Sequence, residues 1–377
     1  MTVTSSDLIN ECTNTILNYL IDSIGKQNII SVVLTGSVAR HHETYKIIDG
    51  KLYLESDLDV LIVVKPLVVI KALTLAKPLS NKLTLVLRKN FLLSHVSFSI
   101  ATEKLLLRSE PSIIYQDLRL FGKVIFGKEK DSLFANYETK DIPLHDLYRL
   151  IFNRSIEALD EFVKGRIIGK KSMNSGNDSI LRALEKLNFA LIQTILIRHG
   201  ILMFKEPTEK IKANIPNELK DSEILNTELI CYENILKTRK STDAIDNTTI
   251  EKYWIKTISH VEMTIGFLSG LKDSSTISNK KLLFEEAGIL KKSRLSSLIF
   301  LQFFRIYCLK DILRPILFVL RFGSDFVYFP LYDLFLSSGN LLNGQLSLSR
   351  FENDDYKKSW LDSYNKYFKI WKLTFGA

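Results

Sequence analysis

"LTGSVARHHETYKIIDGKLYLESDLDVLIVV", Leu34 to Val64, decides how the chain is read. A β-branched run ends at a small-residue turn, Gly36 and Ser37, and a second β-branched run opens on Asp57 and Asp59. Spacing of i and i+2 at the start of a strand predicts both carboxylates on one face, with Leu58 buried between them. Carboxylates held that close repel unless a cation sits between them, and oxygen-only ligation favours magnesium or manganese. A glycine at the turn lets backbone amides approach a phosphate, and the Ser37 hydroxyl adds a donor. A Gly-Ser pair alone is commonly a turn, and a DxD alone is commonly surface charge. Their conjunction on two adjacent strands predicts a site for a magnesium-bound nucleoside triphosphate. No GxxxxGK[ST] and no GxGxxG occurs in the chain, which excludes a P-loop and a dinucleotide fold.

Working outward from that stretch, "MTVTSSDLINECTNTILNYLIDSIG" predicts an amphipathic helix capped at Ser6 or Asp7 and stopped at Gly25, not a signal peptide. "VVIKALTLAKPLSNKLTLVLRK" reads either as a helix or as a helix followed by a strand. "HVSFSIAT" alternates Val96, Phe98 and Ile100 with Ser97 and Ser99, the period of a half-buried strand. "PSIIYQDLRLFG" predicts a short helix between Pro111 and Gly122, and "KVIFG" a last short strand. From Pro143 helical periodicity dominates, with helices expected at 144–163, 179–199, 223–237 and 251–271 and several more after Lys280. The fold class is α+β: a small mixed-sheet domain over residues 1–142, then an all-helical domain over 143–377 with a further division near 272–281.

"GSVAR" followed by "SDLDVLIVV" resembles the signature of the nucleotidyltransferase superfamily that includes DNA polymerase beta, the aminoglycoside nucleotidyltransferases and the minimal nucleotidyltransferases. "PSIIYQDLRLFGKVIFGKE" resembles the helix and strand that close that catalytic domain, and the helical remainder is similar only in style. The resemblance implies that Gly36 and Ser37 hold nucleotide phosphates and that Asp57 and Asp59 coordinate divalent metal. It also implies that an acceptor hydroxyl attacks the α-phosphorus in line, with pyrophosphate leaving. Arg40 either meets the triphosphate or pairs with Glu43 or Glu55. The family supplies a third carboxylate from a later strand, and here that strand offers Ser97 and Ser99, poor metal ligands and no base near neutral pH. Three accounts stay open: Glu103 serves from just beyond the strand, Glu43 reaches in from the insert, or the site binds nucleotide with weakened catalysis. His95 is a further candidate base or a structural residue. Lys186 either faces the nucleotide or is solvated.

The wider composition narrows the partners. The chain has 377 residues, 46% of them hydrophobic and 25% charged, an ordinary globular balance with a net charge of +9. Basic clusters at Lys237 to Lys240 and Lys291 to Arg294 are short and read as solvated helix faces, so a small-molecule or glycan hydroxyl acceptor is favoured over nucleic acid. Cys12, Cys231 and Cys308 stand far apart without ligand spacing, which fits a reducing cytoplasm. The most apolar stretch, residues 295–336, is broken by charges too often for the roughly 20 residues of a bilayer span. It reads as buried helices of the second domain, with a membrane-surface or partner-binding face as the alternative.

Overall fold

The structure is a computed structural model that describes residues 5–167, 173–203, 208–241 and 245–270, together with 331–332, 334–338, 360–365, 368 and 372. The chain divides into two compact units, Met1–Glu138 and Thr139–Gly376. The first is built on a four-stranded sheet and the second is helical among the described residues, the α+β architecture expected from the sequence.

In the first unit, helix α1 (Ser5–Ile24) precedes strand β1 (Ile29–Thr35) and a single helical turn, α2 (Gly36–Ala39). A hairpin of β2 (Tyr45–Ile48) and β3 (Lys51–Leu54) follows, closed by Asp49 and Gly50 with φ of 50° and 75°. That turn accounts for the insert between the Gly-Ser pair and the aspartates, since successive positive φ values suit a two-residue hairpin. Strand β4 (Leu58–Val64), helix α3 (Val69–Arg88) and strand β5 (Val96–Thr102) then form a parallel crossover. Helices α4 (Glu103–Leu107) and α5 (Ile113–Phe121) lead to strand β6 (Lys123–Gly127), giving the sheet order β5-β4-β1-β6. Strand β1 runs antiparallel to both β4 and β6, so the sheet is mixed.

Period-2 alternation divides the sheet between two layers. Val33, Leu61, Val63 and Ala101 pack with Leu106 of α4 and Leu118 of α5. Their alternates Val32, Leu34, Val60 and Ile62 are equally buried, while α1 and α3 pack against β1 and β5. The ambiguous stretch is one helix, α3, running through Pro78. Its apolar residues Ala72, Leu73, Ala76, Leu79, Leu83 and Leu87 recur at helical spacing and are buried, so tertiary packing outweighs the local penalty of the proline.

The second unit is organised around α7 (Met173–Arg198), whose residues from Leu187 to Ile197 are all buried, as expected of a helix surrounded by others. Helices α6 (Leu144–Phe162), α10 (Glu223–Lys240) and α11 (Asn247–Ser269) pack on it, with short α8 (Thr208–Ala213) and α9 (Asn217–Lys220) between α7 and α10. Helix α7 begins six residues before the expected Ser179, through a segment read as a joint. Asn177 donates to the Ile245 carbonyl at 2.8 Å and Ser179 to that of Gly176 at 3.0 Å, which removes the local reason for these polar side chains to leave the helix. Helix α11 starts at Asn247, with the Asp246 carboxylate accepting from the Thr249 amide at 2.6 Å, and ends at Gly270 with φ 71°.

Of the apolar stretch 295–336, the described residues Leu331, Tyr332 and Phe335 are helical and buried. Tyr332 meets Phe152, Phe335 meets Trp254, and the Trp254 indole donates to Ser338 just beyond the stretch. Residues 295–330 and 333, Cys308 and the Lys291 to Arg294 cluster lie outside the described residues, as does nearly all of the chain expected to be helical after Lys280. Among the described residues no helix is long and apolar enough to cross a membrane.

Candidate functional site

Gly36 and Asp59 meet where β1 ends against β4. Thr35 pairs with Asp59 across the two strands, and the next residue, Gly36, turns the chain with φ 72°. A Cβ built on Gly36 would stand 2.5 Å from Asp59 Oδ2, closer than any side chain tolerates. Glycine meets the positive φ without strain, and any other residue would also have to displace the Asp59 carboxylate. Ser37 follows in the first turn of α2, partly exposed, its carbonyl accepting from the His42 amide at 2.9 Å.

Strand β4 begins at Leu58, so Asp57 lies just before it and Asp59 inside it, a correction to the expectation that both open the strand. Leu58 between them is fully buried, as expected, and its amide donates to the His95 carbonyl at 3.0 Å. That bond brings His95 to Asp57, and Nδ1 of the imidazole stands 3.0 Å from Asp57 Oδ1, with both side chains about half exposed. His95 is therefore neither an isolated histidine nor a purely solvated one.

The parallel register sets Asp59 beside Ser97, and the Ser97 hydroxyl donates to Asp59 Oδ1 at 2.6 Å. Ser97 thus occupies the neighbouring-strand position from which a third carboxylate was sought. Of the candidates for that role, Glu103 opens α4 and pairs with Lys128 at 2.6 Å, and Glu43 accepts from the Tyr45 hydroxyl at 3.0 Å. Among the described residues, no three or more His, Cys, Asp and Glu side chains group so as to hold a metal ion.

Arg40 pairs with Asp117 of α5 at 2.6 Å, a partner 77 residues away and neither of the two glutamates expected. Asp59 shares its strand parity with Leu61 and Val63, the residues that face α5, so Arg40 and Asp117 stand on the same side of the sheet as Asp59. The guanidinium charge reaches both carboxylates. Burial, and secondly the neighbouring Asp57 charge, hold the Asp59 carboxyl above its ordinary range, against the opposing pull of Ser97, His95 and Arg40. Burial likewise raises Asp117, partly offset by Arg40.

The donor set suits one kind of ion better than others. Magnesium is commonly held by one or two carboxylates together with substrate phosphates and water, whereas an all-protein cage needs more ligands than Asp57 and Asp59 provide. Cation and triphosphate together fit these residues; a resident metal without phosphate does not.

In the helical unit, Lys186 is exposed on α7 and Arg154 pairs with Glu157 at 2.6 Å. Lys237 pairs with Glu233 at 2.9 Å, and Arg239 is held by Glu185 and Asp178. The basic cluster at 237–240 is thus largely engaged within the fold.

No known family profile matches the chain, and no curated protein does. Among solved structures, spectinomycin adenyltransferase AAD(9) from Enterococcus faecialis, determined with ATP and spectinomycin, is 18% identical, covering 69% of this chain and 100% of its own, with a TM-score of 0.34. At that score the two chains share too little geometry for either fold or chemistry to be carried from one to the other.

Proposed function

We propose that the first unit is a metal-dependent nucleotidyltransferase that moves a nucleoside monophosphate from a nucleoside triphosphate to a hydroxyl of a small molecule or glycan precursor. The observation that carries this reading is Asp59, with Gly36 against one carboxylate oxygen, Ser97 on the other, and Asp57 two residues away. Asp57 and Asp59 would hold magnesium or manganese together with the triphosphate, and the ion would supply charge stabilisation at the phosphoryl oxygens. Gly36 and Ser37 would let the backbone approach the phosphates, and Arg40, oriented by Asp117, would oppose their negative charge. Bond formation between the acceptor oxygen and the α-phosphorus would displace pyrophosphate, with the hydroxyl proton released to solvent. The buried free thiols of Cys12 and Cys231 fit a reducing, cytoplasmic setting.

A second reading has its own observation. Ser97 beside Asp59 is a neutral hydroxyl where the reaction needs a further ligand and base, which favours nucleotide binding without transfer. An RNA-tailing role draws less support, because the described basic cluster is paired internally.

Calorimetry with the four ribonucleoside triphosphates and magnesium, on the native chain and on Asp57→Asn/Asp59→Asn, tests the site. Binding that requires both the ion and the aspartates is expected, and absence of binding by folded native protein would overturn both nucleotide readings. Pyrophosphate release with hydroxyl acceptors then separates transfer from binding alone.

A further inference from the structure

In the helical unit, α10, α11 and the residues leading into α11 line a cavity of ≈ 510 Å³, within the range of small-molecule sites. Its walls follow from helical spacing. Asn234 and Thr238 lie one turn apart on α10 with Ser241 just past its end, while Thr249, Tyr253 and Lys256 recur at i, i+4 and i+7 along α11. Each helix therefore turns a polar stripe toward the same space. Thr238 Oγ1 and the Tyr253 hydroxyl, 2.9 Å apart, join the two walls. Among the described lining residues Ile245 is the one aliphatic side chain, and hydroxyl, amide and charged groups make up the rest.

The charge in the cavity is uneven. Asp246 is committed to the Thr249 amide as the cap of α11. Lys252 and Lys256, one turn apart on α11, form no ion pair among the described residues, although the Lys256 charge is felt by Glu228. Like charges at i and i+4 repel by a few tenths of a kcal/mol, and an anion placed between them would turn that repulsion into attraction. Asn234, Thr238, Ser241 and Tyr253 supply amide and hydroxyl groups to the same lining.

We propose that this cavity binds a phosphate monoester of a hydroxyl-rich small molecule, of the sugar-phosphate class. The phosphate sits between Lys252 and Lys256, and the sugar hydroxyls bond to Thr238, Ser241 and Tyr253. The proposal concerns the helical unit alone and does not depend on a nucleotide at Asp57 and Asp59.

Glucose 6-phosphate, glucose and inorganic phosphate, titrated against the full chain, serve as probes. The sugar phosphate is expected to bind saturably and at least tenfold more tightly than either half. Lys252→Met/Lys256→Met should remove that advantage, while Lys252→Arg/Lys256→Arg retains most of it with the helix intact by circular dichroism. Bound sugar phosphate should also protect Lys252 and Lys256 from acetylation, and leave exposed Lys186 unprotected. Sugar phosphate binding no tighter than inorganic phosphate, or binding indifferent to loss of both lysines, would overturn the assignment.

Discussion

Gly36 carries two constraints that favour glycine, the φ of 72° and the 2.5 Å approach of a Cβ to the Asp59 carboxylate. Gly36→Ala should therefore lose at least about 1 kcal/mol through the left-handed backbone alone, with the contact adding more. A thermal melt that matches the native one would show that the turn relaxes and that the site is looser than described. Asp59 poses the opposite trade. Its carboxyl titrates above the ordinary range, so the folded chain holds that proton more tightly than the unfolded chain does. The stability it contributes is complete below 3.8 and is lost as pH rises through the raised value, above which the carboxylate carries the charge that burial disfavours. Asparagine keeps an acceptor for Ser97 without that charge. Asp59→Asn should thus melt no lower than native at pH 7, lose its relative gain under acid conditions, and bind no magnesium nucleotide; melts at both pH values and one titration check it. Residue identity and spacing pointed to Gly36, Ser37, Asp57 and Asp59 as candidates, and the fold brings Gly36 against Asp59. Asp117 was not legible, because nothing near Arg40 in the chain signals a partner on a helix 77 residues away.

At the scale of elements, β5 determines what the site contains. Its register, Asp59 opposite Ser97 and Val60 opposite Phe98, sets a serine at the carboxylate. Ser97→Asp would place a third like charge there. Without divalent ion the variant should melt below native by the repulsion this adds, and magnesium should raise its melting temperature more than it raises that of the native chain. Equal responses to magnesium would show that Asp59 does not face an ion. The alternation of Val96, Phe98 and Ile100 was sufficient to read β5 as a strand and Ser97 as lying on its other face. Its register was not readable, since pairing with β4 is fixed by the α3 crossover and not by local pattern. Helix α3 shows the same limit from the other side. Its stretch read either as one helix or as a helix followed by a strand, and burial of Leu79, Leu83 and Leu87 beyond Pro78 accompanies the single continuous helix. Where a cap was local, as with Ser112 accepting from the Tyr115 amide, the sequence located the helix within a residue or two.

For the molecule as a whole, the change from mixed sheet to helices was legible because period-2 alternation stops near Pro143 and helical spacing takes over. What holds the helical unit together was less so, because it includes a polar cluster at its centre. Glu228 of α10 and His260 of α11 are buried against each other, Oε2 to Nδ1 at 3.0 Å, and Thr264 donates to Oε1 at 3.2 Å. Burial pushes the Glu228 carboxyl up, against the pull of His260, Thr264 and Lys256. Burial pulls His260 down, but hydrogen bonding to Cys231 and Glu228, together with the Glu228 charge, outweighs it and raises the imidazole to about 9. Both directions have the same meaning: the folded pair keeps a proton that the unfolded chain gives up. The stability His260 contributes is complete below its unfolded value of 6.5 and is lost as pH rises through about 9. Melts of the native chain followed by far-ultraviolet circular dichroism should accordingly fall between pH 6.5 and 9. His260→Gln should be less stable at pH 6.5 by about 3–5 kcal/mol, since it leaves a buried carboxylate unpaired, and should show a flatter profile above that pH. If native and variant declined in parallel across this window, the proton would reside elsewhere, and the Glu228 to His260 contact would be an ordinary neutral hydrogen bond.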